Sequence, residues 1–172
     1  MDLKEHIRQI PDFPKPGINF FDISTLMKNA QTWRDVINQL VEVVGPWQPQ
    51  VVAGIDARGF LVASPLAIQL GCGLVMVRKK GKLPGRVNRA NYGLEYGTDE
   101  IEIQTDAVEP GQKILIVDDL LATGGTIMAA ATLLRQGGGH VVGAVSVIEL
   151  DFLKGRAKLD MPFQSLVQYD TE

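Results

Sequence analysis

Two adjacent carboxylates, Asp118 and Asp119, stand between an apolar β-rich run, Lys113 to Val117, and the small hydroxylated turn Leu121-Ala122-Thr123-Gly124-Gly125-Thr126. The turn opens a helical segment reaching to about Gln136, so its backbone N–H groups lie at a helix start, where donors are unpaired and the partial charge is positive. A dianionic phosphate fits there, with Thr123 and Thr126 adding hydroxyls and the glycines letting the backbone come close. The carboxylates would repel that anion. They suit a neighbour that donates protons or is cationic, such as sugar hydroxyls or a metal held by them. The segment therefore outlines a sugar-phosphate site. It lacks the lysine that a Walker A loop needs after its glycines, and its glycine spacing is not that of a dinucleotide-binding turn.

A second constellation, Asp56-Ala57-Arg58-Gly59, follows the short apolar run Val51 to Ile55. A third is the cationic stretch from Arg78 through Lys79, Lys80, Lys82, Arg86 and Arg89, continuing to Gly97. Connections longer than about 12 to 15 residues in a compact domain are commonly lids or binding loops. Tyr92, Leu94 and Tyr96 alternate around Glu95, and Ile101 and Ile103 alternate after Thr98-Asp99, a pattern that predicts a β-hairpin arm.

The elements that position these groups can be read from apolar spacing. Trp33, Val36, Ile37, Leu40, Val41 and Val44 predict an amphipathic helix that stops at Gly45-Pro46. Val51–Ile55, Gly73–Val77, Lys113–Val117 and Val141–Ile148 predict strands. A helix after Gly59 runs to Leu70, with Pro65 either in its first turn or at a kink, and Gly137-Gly138-Gly139 ends the helix after Gly125. Alternating strands and helices give an α/β fold with a mainly parallel central sheet covered on both faces. Ligands then bind beyond the strand C-terminal ends, which places Asp56 and Asp118 on one rim.

The chain has 172 residues, 45% of them hydrophobic and 22% charged, with a net charge of −3. These values fit one globular domain and give no basic footprint for nucleic acid. The single cysteine, Cys72, between Gly71 and Gly73, excludes an internal disulfide and reads as structural. His6 and His140 have no triad-like neighbours. The sequence contains no membrane-length apolar run, and a cytoplasmic setting is expected.

Five phrases in order, Pro11-Asp12-Phe13-Pro14, Arg58-Gly59-Phe60-Leu61, Arg78-Lys79-Lys80-Gly81-Lys82-Leu83-Pro84-Gly85, Leu94-Glu95-Tyr96-Gly97 and the run through Thr126, resemble the adenine phosphoribosyltransferases of the type I phosphoribosyltransferase family. The resemblance extends from about Ile7 to Tyr169. It implies the type I fold over residues 1–172, with a base-binding hood over about 1–30 and a flexible catalytic loop over about 79–97. The implied reaction is adenine plus 5-phosphoribosyl 1-diphosphate giving AMP and diphosphate, with substrate-bound Mg2+, in a homodimer.

The resemblance also implies residue roles. Asp56, Ala57 and Arg58 form a diphosphate loop, in which the family often has a cis non-proline bond, and Arg78 and Lys82 are further diphosphate partners. Asp118 and Asp119 accept from the ribose hydroxyls, and Leu121 through Thr126 cradle the 5′-phosphate. Glu95 lies near adenine N7. Asn19, Phe20 and Phe21 bind the base, with Phe20 stacking on it; Phe20 and Phe21 are equally compatible with a core position. The family commonly has a basic residue where Phe21 stands. An Asp56–Arg58 ion pair at the helix start is compatible with both roles. The alternatives are a hypoxanthine, guanine or xanthine phosphoribosyltransferase, and a non-catalytic sensor of phosphoribosyl diphosphate.

Overall fold

In the computed structural model, which describes residues 2–93 and 98–171, the N-terminal segment forms its own small antiparallel sheet. Strand β1 (Arg8–Ile10) pairs with β2 (Phe20–Asp22), so Arg8 faces Asp22 across the ladder. The Phe13–Pro14 bond between them is cis. Arg8 donates to the Asp22 carboxylate from Nε at 3.1 Å and Nη2 at 2.5 Å, and Ser24 adds a hydroxyl at 2.7 Å. The Arg8 guanidinium, assisted by Ser24, holds the Asp22 carboxyl down to about 2.

Because this native value lies below the ordinary 3.8, the stabilisation is full above 3.8 and is lost as pH falls through about 2. Replacing Asp22 by asparagine should therefore lower the melting temperature at pH 6 by the equivalent of about 1 kcal/mol or less, since Arg8 is largely solvent-screened. Melts taken from pH 6 down to pH 2 should show the gap between the two proteins closing in acid.

Helix α1 (Ser24–Lys28) leads into α2 (Ala30–Val44), whose start is capped by Asn29: its Oδ1 accepts from the N–H groups of Gln31 and Thr32 at 3.0 Å each. Val36, Ile37, Leu40 and Val44 are buried on one stripe, as their spacing predicts. Strand β3 (Val51–Ile55), helix α3 (Arg58–Leu70) and strand β4 (Gly73–Lys79) follow. Pro65 lies inside α3 rather than in its first turn. The buried Val62, Ala63, Leu66 and Ala67 hold the helix together across it.

The cationic stretch leads from β4 into a hairpin of β5 (Val87–Gly93) and β6 (Thr98–Gln104), with β6 antiparallel to β4. Strand β7 (Lys113–Leu121) runs four residues past Val117, where the sequence pattern ends it, so the acid pair belongs to the strand itself. Helix α4 (Gly125–Gln136), strand β8 (His140–Leu150) and strand β9 (Phe163–Tyr169) complete the chain.

The seven-stranded sheet has the order β5-β6-β4-β3-β7-β8-β9, parallel from β4 to β9. Side chains alternate along β7. Leu115 and Val117 join the core beneath α2 and α3, whereas Ile114 and Ile116 join the core beneath α4 and the hairpin. Every parallel strand thus points its C-terminal end at one rim. Among the described residues no helix is long and apolar enough to cross a membrane.

Candidate active site

Three recesses lie side by side along that rim. The first, about 400 Å³, is lined by Ile55, Asp56, Ala57, Arg58, Lys79, Tyr92, Asp118, Asp119, Leu120 and Thr126. The second, about 80 Å³, is formed by Asp118 and the turn from Leu120 to Ile127. The third, about 290 Å³, is mostly apolar and is lined by Gly17, Ile18, Asn19, Ala122, Thr123, Leu150, Phe152 and Leu153. The first two share Asp118, Leu120 and Thr126; the last two share Ala122 and Thr123. The β7–α4 turn therefore runs through all three.

The turn has the predicted character. Gly124 takes φ +84°, and the helix N-terminus behind it supplies unpaired N–H groups beside Thr123 and Thr126. Leu121 contributes only main chain, its side chain being 2% exposed in the core. At the head of the turn the Asp119 N–H donates to Asp118 Oδ1 at 2.8 Å. Burial, reinforced by the neighbouring Asp119 charge, pushes the Asp118 carboxyl well above the ordinary carboxylate range, with Arg58 opposing in part. The Asp118 carboxylate is thus crowded by its burial and by the adjacent Asp119 charge. Hydroxyl donors from a sugar would relieve that crowding.

The Asp56–Ala57 bond is cis, as the resemblance implies. Asp56 and Arg58 do not pair with each other. Arg58 Nε lies 2.6 Å from Asp119 Oδ2, and Arg78 Nε donates to Asp56 Oδ2 at 3.2 Å. The helix start at Arg58 turns that side chain toward Asp119 on β7, and Asp56, just past the end of β3, takes Arg78 of β4 instead. Gly59 lets the start of α3 lie close against the end of β7: a Cβ there would lie 3.0 Å from the Val117 carbonyl oxygen and 3.1 Å from Asp118 Oδ1. Gly59→Ala should displace Asp118, lowering kcat/KM by about 10- to 100-fold and stability by about 1–3 kcal/mol. Steady-state kinetics with a thermal melt of the same preparation checks both.

Lys82 is brought to the site only through its carbonyl, which accepts from Arg78 Nη1 at 3.4 Å; its side chain lies on the exposed surface. Lys79, whose N–H points to Asp56 Oδ2 at 3.4 Å, lines the cleft in its place. Tyr92 also lines it and donates its hydroxyl to Asp99 at 3.2 Å across the hairpin. Burial and the Asp99 charge raise its phenol, with the Thr126 hydroxyl opposing. Sequence reasoning missed both residues, although Lys79 follows a predicted strand end and Tyr92 shows the arm's alternation. Glu95, with Leu94, Tyr96 and Gly97, lies outside the described residues.

On the base side, Asn19 lines the apolar recess and donates its amide to Gln9 Oε1 at 2.9 Å. Phe20 stands between Phe13, edge-on at 5.1 Å, and the Arg58 guanidinium, 4.9 Å from its ring centre. Phe21 is corrected to a core residue. The β2 pleat turns it inward, where it is 4% exposed and packs on Tyr169 at 4.2 Å, which withdraws its side chain from base contact. Ile18, Leu150, Phe152 and Leu153 were not anticipated. The last three follow the predicted strand at Val141–Ile148, whose end shares the rim with Asp56 and Asp118.

The groups set aside in the sequence stay outside the cleft. His6 and His140 are exposed. The Cys72 thiol donates to the Pro49 carbonyl at 3.1 Å, and burial raises its pKa, which suits a structural thiol.

A profile of the phosphoribosyl transferase domain matches residues 22–168. The chain is 58% identical over 170 residues to an adenine phosphoribosyltransferase of Gluconacetobacter diazotrophicus, covering 99% of this chain and 97% of the relative. Among solved structures it is similar to an adenine phosphoribosyltransferase from Thermoanaerobacter pseudethanolicus, at 48% identity, 98% coverage of each chain and a TM-score of 0.96. It is similar also to the Saccharomyces cerevisiae enzyme complexed with D-2,5-dideoxy-2,5-imino-altritol 1,6-bisphosphate and adenine, at 41% identity, 96% coverage of each chain and a TM-score of 0.90.

Proposed function

The chain belongs to the phosphoribosyltransferase family, and from that premise we propose that its three recesses hold, in order, the diphosphate, the ribose 5-phosphate and the purine of a transfer to adenine. The reaction is adenine plus 5-phosphoribosyl 1-diphosphate giving AMP and diphosphate. The anomeric C–O bond breaks with its electron pair leaving on the diphosphate, and adenine N9 bonds to the same carbon from the opposite face. The observation that carries this assignment is the shared turn: an acid pair, a phosphate cradle and an apolar slot meet on one stretch, Asp118 to Thr126.

Each residue then has a defined task. Arg58 and Arg78, with Lys79 beside them, neutralise the departing diphosphate; arginine forks match phosphate oxygens in pairs. Lys82 joins them through movement of its loop. Asp118 and Asp119 accept from the ribose 2′- and 3′-hydroxyls and offset positive charge on the sugar. Backbone N–H groups from Ala122 to Thr126, with the Thr123 and Thr126 hydroxyls, hold the 5′-phosphate. Glu95 takes or shares the proton released as N9 becomes nucleophilic. Phe20 stacks on the purine, and backbone groups around Asn19 read its edge over the apolar wall of Leu150, Phe152 and Leu153.

Bound with the diphosphate substrate, Mg2+ would supply positive charge to the leaving group, in keeping with its preference for substrate phosphates plus one or two carboxylates. Asp56, Asp118 and Asp119, which line the same recess, would be the carboxylates available to it. We treat the chain as one transferase domain working in the cytoplasm, its first 30 residues serving as the hood and residues 79–97 as the catalytic arm. A homodimer is supported by the exposed apolar side chains Leu61 and Ile68 on α3 and Leu74 and Met76 on β4, which a second copy would cover.

The deciding experiment is AMP formation against a purine panel at fixed 5-phosphoribosyl 1-diphosphate, with and without Mg2+. Adenine should be strongly preferred and metal removal should abolish turnover. Hypoxanthine used as efficiently as adenine would overturn the base assignment.

A further inference from the structure

Outside the three recesses, the largest buried polar cluster among the described residues surrounds Glu149, which is 1% exposed at the end of β8. Its carboxylate accepts from Arg156 Nε at 2.9 Å and Nη2 at 2.6 Å, from Ser165 Oγ at 2.7 Å and from Gln168 Nε2 at 3.1 Å. Arg156 also donates from Nη1 to the Phe163 carbonyl at 2.8 Å and lies over the Phe163 ring. Burial alone would raise the Glu149 carboxyl, but the hydrogen bonds from Arg156 and Ser165 outweigh it and hold the group below its ordinary value. Glu149 is therefore a buried anion fully engaged by donors.

The segment closed by this pair contains Leu150, Phe152 and Leu153, which wall the apolar recess. Its far end is Gly155, buried against the phosphate turn. A Cβ at Gly155 would lie 2.2 Å from the Ala122 carbonyl oxygen, and one at Gly124 would lie 2.8 Å from the Gly155 carbonyl oxygen. Two backbones thus touch directly, next to the residue that Arg156 anchors. An ion pair with one buried member is weak as a source of net stability, because desolvation of the Glu149 carboxylate cancels much of the attraction, but it fixes geometry.

We propose that Glu149 and Arg156 are positioning residues for the transferase site, stapling the ends of segment 149–156 so that its interior forms the base wall and Gly155 backs the phosphate turn. Neither side chain touches the substrate on this assignment. The inference rests on the adenine-transfer reading given above and adds to it a joint origin for base and phosphate placement.

The test compares the parent enzyme with E149Q, with the double variant E149L/R156M, and with R135M. The double variant replaces the buried pair by apolar side chains of similar size, a change that commonly preserves stability. R135M removes a comparable two-pronged pair, Arg135 to Asp160 at 2.8 and 2.9 Å, which lies outside the segment. Melting temperature, kcat and the separate KM values for adenine and 5-phosphoribosyl 1-diphosphate are measured for each.

The expected result is that E149Q and the double variant raise both KM values by about 5- to 50-fold, with E149Q melting below the parent, since its amide cannot satisfy all the donors around Glu149, and the double variant melting near it. Their kcat should change by less than about 3-fold, and R135M should leave both KM values unmoved. Parent-like KM values in a folded double variant would overturn the inference and make the pair merely structural. Loss of folding in both pair variants, with R135M intact, would overturn it equally by making the pair a fold determinant alone. A parent that makes no AMP from adenine would instead defeat the functional reading before the pair is tested.

Discussion

Replacing Asp118 by asparagine should raise the melting temperature of the free protein and remove most of its transferase activity. The carboxyl is crowded by burial and by Asp119, and its native pKa is held well above the ordinary 3.8. The native state therefore binds this proton more tightly than the unfolded chain does. Its stabilising contribution is full below 3.8 and is lost as pH rises through the native value. Near neutrality an ionised Asp118 costs stability, and an amide of the same shape relieves that cost while its oxygen keeps the bond from the Asp119 N–H. The gain should be roughly 2–6 °C at pH 7.5 and should shrink as the melt is repeated toward pH 4. Activity should move the other way, with kcat/KM falling by about 10²–10³-fold, the usual loss when a positioned electrostatic partner of a transition state is removed. A variant less stable than the parent at pH 7.5 would contradict the crowding; a variant of normal activity would contradict the ribose contact.

Replacing Glu95 by glutamine carries the second large effect. On the proposed assignment this carboxylate receives the proton that adenine loses as N9 attacks, and an amide cannot. The expected loss is about 10²–10⁴-fold in kcat. The KM for 5-phosphoribosyl 1-diphosphate should stay within a few fold, because the phosphate turn and the acid pair are untouched. Fluorescence titration with the diphosphate donor alone, set beside the turnover assay, separates the two. Equal losses in donor affinity and turnover would move Glu95 from proton transfer to substrate binding.

Sequence spacing disclosed β3 and β7 because they are buried on both faces and read as unbroken apolar runs. Val51–Ile55 is buried throughout, and Lys113 to Val117 is nearly so. Strand β9 stayed hidden for the opposite reason. It sits at the sheet edge, and Gln164, Ser165 and Gln168 interrupt Phe163 and Val167. The phosphate turn was legible because its chemistry and its chain order coincide. The apolar recess was not, since Ile18 comes from the N-terminal segment and Leu150 to Leu153 from the end of β8 and the turn after it, and only the fold brings them together. Ion-pair partners were the least readable feature. Proximity in sequence suggests Asp56 with Arg58, but the strand rim pairs Asp56 with Arg78 and Arg58 with Asp119.

That exchange of partners governs how the donor substrate is received. Arg58 and Arg78, assigned to the diphosphate, already hold internal anions, and one of those anions, Asp119, is assigned to the ribose. Binding is then a metathesis of ions rather than the filling of a bare cationic site. On the proposed assignment, diphosphate would draw Arg58 from Asp119, and the ribose hydroxyls of the same molecule would take the vacated carboxylate. Inorganic diphosphate alone would leave Asp119 stranded in a poorly hydrated place, and ribose 5-phosphate alone would have to compete with Arg58 for it. Only a ligand carrying both groups on one framework satisfies both halves at once, so the site discriminates by requiring two simultaneous substitutions.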